Sequence, residues 1–204
     1  EALAVPDSLA DLTRARIKQL DEDTRQLLEL AALSGASIDT EVLARAADRP
    51  LASVRACLQD ACHLQVLELQ ETRFRFLHDR IREAVIEALD EPRRAGIHRT
   101  LAFALEASSP RDPFALAHHF LAAGNPEKAL GYVVEASQAA REAFAWPAVI
   151  ALCRQGLELV ERLPEPRPEI HDALQLRLGH ALYSQGAFDP ARDVLRARLQ
   201  TPLS

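Results

Sequence analysis

One joint in this chain carries the residues best suited to chemistry. In "RFRFLHDRIREAVIEAL", residues 73–89, a short alternating stretch breaks at His78 and helical spacing takes over. A helix start presents unpaired backbone N–H groups and partial positive charge, so a histidine there can donate to an anionic oxygen such as that of a phosphate. The alternative is a packed or capping side chain, and Asp79 beside it is of a type that caps helices. His78 and Asp79 are therefore the candidate sensor of a bound anion.

The other reactive residues form weaker sets. None of the seven glycines is followed by lysine, so the phosphate-binding loop of ATPases is missing and the segment cannot hydrolyse ATP by itself. Cys57, Cys62 and His63 invite a metal reading, but a five-residue spacing puts the two thiols on different faces of a helix. A buried pair of thiols is expected, and no metal. His118 and His119 are neighbours, so one should pack and the other face water. Glu22/Asp23 and Glu165/Glu169 lie at helix starts or in a proline-rich link, where acids suit the helix dipole without doing chemistry. No Ser/His/Asp spacing stands out, and no catalytic residue is assigned.

The elements that position these residues are helical. The chain is rich in Ala, Leu and Arg, all good helix formers, and 48% of its residues are hydrophobic, enough for a real core. "SLADLTRARIKQL", 8–20, opens on a serine cap with Leu9, Leu12, Ile17 and Leu20 as its apolar face. Asp21 caps a second helix that stops at Gly35. Two short helices follow, the second after Pro50. Then "QVLELQ" and "TRFRFL" form a hairpin with Phe74 and Phe76 on one face and Arg73 and Arg75 on the other. Three helices and a hairpin are the order of a winged helix. After His78, Asp79 is expected to cap a helix with Ile81, Val85 and Leu89 inward, and Pro92 starts another carrying Ile97, Leu101 and Leu105.

The segment "SSPRDP", 108–113, concentrates residues that end helices and divides the chain into 1–107 and 108–204. The second part repeats weakly. "LAHHFLAAGNPEKALGYVVEA" and "LGHALYSQGAFDPARDVL" share apolar and small residues at matching offsets, including Gly124 and Gly186 at turns. These resemble tetratricopeptide repeats, with Gly156 where that family prefers alanine and Arg198 at another small position. The expected fold is mainly α: a winged-helix domain with a short hairpin, then tetratricopeptide-like hairpins, about four-fifths helical against a usual third.

Charge and cysteine usage bound the partners. The net charge is −6 with basic residues scattered among acids, and a recognition helix at 51–64 would bring only Arg55 as a cation, beside Asp60. Direct nucleic-acid binding is not expected. Three cysteines and no secretory leader fit a reducing cytoplasm, and no apolar run is long enough for a membrane span. The chain begins at Glu1 and holds no methionine, so it reads as a piece of a larger protein.

The order "VPDSLADLTRARIKQLDEDTRQLLELAALSG", "FRFLHDRIREAVIEAL", "RRAGIHRTLAFALE", "LAHHFLAAGNPEKAL" resembles the signal-transduction ATPases with numerous domains, the STAND class, as found in large LuxR-type transcription activators and in kinase and cyclase regulators. Phe76-Leu77-His78-Asp79 followed by Arg82-Glu83-Ala84 is the most specific match. The resemblance implies a regulatory, non-enzymatic segment that couples nucleotide state to signal binding, probing an ATPase domain of the same parent chain. It implies that His78 contacts ADP held there, that ADP or ATP belongs to the parent and not to this segment, and that a protein or small-molecule signal binds the helical repeats. The alternative is a protein-interaction scaffold with no nucleotide dependence.

Overall fold

A computed structural model of the chain describes residues 16–17, 19–35 and 37–200, so most of the helix expected at 8–20 lies outside them. Two compact units are formed, Glu1–Ser109 and Pro110–Ser204. Among the described residues there are ten helices and a single two-stranded sheet.

In the first unit, α1 (Glu22–Ser34) begins at Asp21, whose carboxylate accepts from Thr24 N at 2.7 Å, and ends at Gly35 with φ 133°. The Thr24 backbone N–H holds the Asp21 carboxyl below its ordinary pKa. α2 (Thr40–Ala46) is capped by Asp39, and α3 (Leu51–His63) follows Pro50, which cannot continue a preceding helix. β1 (Leu67–Gln70) pairs antiparallel with β2 (Arg73–Phe76), with Leu67 opposite Phe76 and Gln70 opposite Arg73. Phe74 and Phe76 point inward and the two arginines outward, as the alternation requires. Ile38 adds a single bridge to Phe74 on the other side of β2.

α4 (Asp79–Glu87) and α5 (Glu91–Glu106) complete this unit, the latter capped by Asp90. One cluster gathers Leu27, Leu28, Ile38, Leu58, Phe74 and Ile81 among others, and a smaller one joins Leu33, Leu89, Ile97 and Leu101. The apolar stripes of α1 and α4 and the inward face of the hairpin thus close on one core.

The second unit is a run of antiparallel helices, α6 (Pro113–Ala122), α7 (Pro126–Glu142), α8 (Trp146–Arg162), α9 (Pro168–Ser184) and α10 (Phe188–Gln200), each packed on the next. Three of its turns are the same object. Gly124, Phe144 and Gly186 each have positive φ, at 70°, 56° and 79°. Each donates to a carbonyl three residues back while the following residue donates to one five back, the pattern that closes a helix on a left-handed residue. Glycine adopts this conformation freely; for a phenylalanine it is strained by about 1–3 kcal/mol.

Small residues set how closely the helices approach. A Cβ on Gly156 would lie 2.7 Å from Leu174 Cδ1, and one on Gly179 would lie 2.7 Å from Leu195 Cδ2, so the leucines of the next helix occupy the missing side chains. Arg198, where the repeat calls for a small residue, instead turns its guanidinium to Asp172 at 3.6 Å. Arg177 ties α9 to α7, donating to Val134 O at 3.1 Å and to the Ser137 hydroxyl.

Burial pushes the Cys153 thiol up to about 11, against the opposing effects of the Arg177 charge and a Ser137 hydrogen bond. Because the folded value lies above the ordinary 9.0, the neutral thiol contributes stability that is complete below pH 9 and lost as pH rises through about 11. At pH 8, iodoacetamide should leave Cys153 unmodified in the native chain and label it once urea is added, as read by peptide mass spectrometry. Rapid native labelling would show that this core opens locally.

Candidate functional site

His78 is positioned from both sides. The Leu77 N–H donates to Val66 O at 3.1 Å, which extends the hairpin ladder past β2 and holds His78 in extended backbone, φ −144° and ψ 144°. Its carbonyl then accepts from Ile81 N at 2.9 Å, beginning α4. Ile81 and Val85 fix that helix in the core. Arg82, part of the motif around His78, donates its Nε to Ala32 O at 2.8 Å and so clamps α4 to the end of α1.

The placement corrects one expectation. Asp79 is the first residue of α4, and His78 occupies the capping position with no side-chain hydrogen bond to the helix. Ladder pairing carries the extended conformation one residue further than sequence suggests, which moves Asp79 inside the helix. His78 and Asp79 are both exposed. Packing therefore does not account for His78, and neither does side-chain capping. What the arrangement offers is an imidazole at an uncapped helix start, with Arg80 paired to Glu83 at 4.0 Å one turn away. Asp79 offsets part of the positive end, so an anion would be held by hydrogen bonds from His78 and the first backbone N–H groups more than by net charge.

Cys57 and Cys62 are both half-buried, so the expected buried pair is corrected: α3 turns neither thiol fully into the core. Cys57 Sγ accepts from Arg49 at 3.7 Å, and burial followed by the Glu68 charge pushes the Cys62 thiol up. Among the described residues, neither cysteine nor His63 belongs to a group of three side chains able to share an ion. His119 is buried and His118 exposed, as expected, but the two do not point apart: their rings meet edge to face with centroids 5.2 Å apart. A cavity of about 460 Å³ opens beside α1 and α5, where Arg49 and Arg93 are paired with Asp23 at 3.3 Å and Glu29 at 2.8 Å.

One feature was not found from sequence. In the second unit Phe144 meets Trp146 edge to face at 5.8 Å, Trp146 meets His180 at 5.5 Å, and Tyr183, one turn along α9 from His180, meets Phe188 at 5.2 Å. Phe144, Tyr183 and Phe188 are 74%, 63% and 59% exposed. The signal was present in the turns: "FAWP" and "GAFDP" put aromatics where "GNP" has none.

No family model matches the sequence, and no curated protein matches it significantly. The fold is similar to the crystal structure of a Signal Transduction ATPase with Numerous Domains (STAND) protein with a tetratricopeptide repeat sensor from Pyrococcus horikoshii, at 16% identity and a TM-score of 0.64. That match covers 98% of this chain and 29% of the other, so the chain spans less than a third of the protein it resembles. The likeness is one of fold, consistent with a chain whose described residues are mainly helical, with one short hairpin and stacked helical hairpins of the tetratricopeptide kind.

Proposed function

We propose that this chain is a regulatory, non-enzymatic segment of a multidomain signalling ATPase of the STAND class. In this reading the first unit is a winged helix that closes on nucleotide bound by an ATPase domain of the same parent, and the helical repeats bind a signal or partner. The observation that carries it is the fold likeness across 98% of the chain to a protein that joins such an ATPase to a repeat sensor. The exposed, uncapped His78 agrees with it. Signal binding would shift the population between an ADP-held resting form and an open one, and the output, in transcription regulation for a LuxR-type parent, would follow the open form.

The test is His78→Ala in the parent protein. ADP retention should weaken by about 1–3 kcal/mol, the usual loss for a hydrogen bond to a charged group, read as faster ADP dissociation and raised signal-independent output. Stability should change by less than about 0.5 kcal/mol, because an exposed side chain without a bond to the fold leaves nothing unsatisfied. Unchanged ADP release would reject the sensor role. It would favour instead an interaction scaffold without nucleotide dependence, a reading for which the exposed aromatics of the second unit speak independently.

A further inference from the structure

We propose that the aromatic strip of the second unit, Phe144, Trp146, His180, Tyr183 and Phe188, is a docking surface for a proline-rich segment in the extended polyproline conformation. This rests on reading the repeats as the partner-binding half, and it names the surface and the chemistry of the partner.

Backbone strain supplies the first reason. Phe144 adopts φ 56° in a turn whose two sister turns use glycine. Among the other described residues, the non-glycine residues with positive φ are Asp48, Gln65 and Glu71, all polar. An aromatic ring in this conformation is the outlier. The ring is 74% exposed, so burial does not offset the strain. A strained residue that the fold does not need is a mark of function.

The chemistry of the strip supplies the second. Its rings stand edge to face, forming ridges and not a flat plate. Among the described residues, the Trp146 indole N–H and the Tyr183 hydroxyl bond no other protein group, so the surface presents rings together with donors that a ligand can take over from solvent. The charges beside it are of both signs: Arg192 pairs with Asp189 at 2.8 Å, and Arg141 and Glu142, one positive and one negative, each hydrogen-bond the neutral Gln138. The complement to such a surface is uncharged, ring-shaped and rich in unpaired acceptors. A polyproline helix has those properties, since proline has no N–H and its carbonyls make no internal bonds. Aromatic-lined grooves recognise such segments in this way.

Trp146 is the single tryptophan of the chain and lies in the strip, so its fluorescence reports binding directly. The full 204-residue chain is titrated with a proline decamer, and in parallel with a Gly-Ser peptide and an amphipathic helical peptide of the same length. A saturable change is expected with the proline peptide alone. Phe144→Gly should raise the melting temperature by relieving strain while weakening binding about tenfold, the scale of an interface hot spot. Tyr183→Phe, which removes only the hydroxyl, should weaken binding about fivefold with no change in melting. No saturable change with the proline peptide, equal binding of the helical peptide, or a Phe144→Gly chain that melts lower and binds as before would overturn the proposal. Any of these would leave the His78 experiment untouched, because that one reads ADP.

Discussion

Phe120→Ala is expected to destabilise the second unit by about 3–5 kcal/mol, the range for emptying a buried aromatic site. The ring is fully buried, and it stacks on Tyr132 with centroids 5.5 Å apart and planes 4° from parallel. The Lys128 ammonium lies 4.9 Å from its centroid, adding a cation–π contact that alanine also loses. Collapse into the vacancy is hindered because the backbone here is pinned: Phe120 O accepts from Asn125 N at 2.9 Å as part of the turn, and Asn125 caps α7 through Lys128 N at 3.1 Å. Urea unfolding followed by Trp146 fluorescence reads this unit selectively, and a lower midpoint with an unchanged slope is the expected form. Phe120→Leu should recover much of that loss by keeping part of the volume. A loss below about 1 kcal/mol for alanine would mean that α6 and α7 can close over the gap.

The second large effect is expected at Ile81. It is 2% exposed on α4 and belongs to the core formed with α1 and the hairpin, so Ile81→Ala should cost about 2–5 kcal/mol and Ile81→Val about 0.5–1.5. Its consequence reaches the site, because Ile81 N also closes the first turn on the His78 carbonyl. Loss of the anchor loosens the turn that presents the imidazole. Circular dichroism suits this measurement, since Trp146 lies in the other unit. The two neighbouring substitutions should rank in opposite order on the two readouts. Ile81→Ala lowers melting strongly, while His78→Ala barely changes melting and acts on ADP release in the parent. If His78→Ala destabilises as much as Ile81→Ala, the imidazole is part of the fold and the sensor reading fails.

Sequence by itself determined the elements whose causes are local. Asp21 announces a helix start because a carboxylate three residues from free N–H groups has a partner within reach, and Gly35, Gly124 and Gly186 mark ends because glycine takes positive φ without penalty. The alternation at 73–76 placed Phe74 and Phe76 inward, since a pleated strand allows no other arrangement. The stripe of Ile81 and Val85 on the helix after His78 was legible for the same kind of reason.

Tertiary structure decided what depends on partners distant in the chain. Nothing near Asp79 says that Val66 O will hold Leu77 and carry the extended backbone through His78, yet that bond makes His78 the residue at the cap. The exposure of His78 and the half-burial of Cys57 and Cys62 depend on how α3, α4 and the hairpin close on α1, which periodicity along one element does not contain. Arg82 reads as a solvent-facing residue of its helix and is instead spent on Ala32 O, fifty residues back. Phe144 is the clearest case. Its left-handed backbone is imposed by the α7–α8 turn, whose hydrogen bonds to Arg141 and Ala140 are the same ones that glycine serves in the sister turns, and only the packed hairpins bring Trp146, beside it in that turn, to His180 of α9.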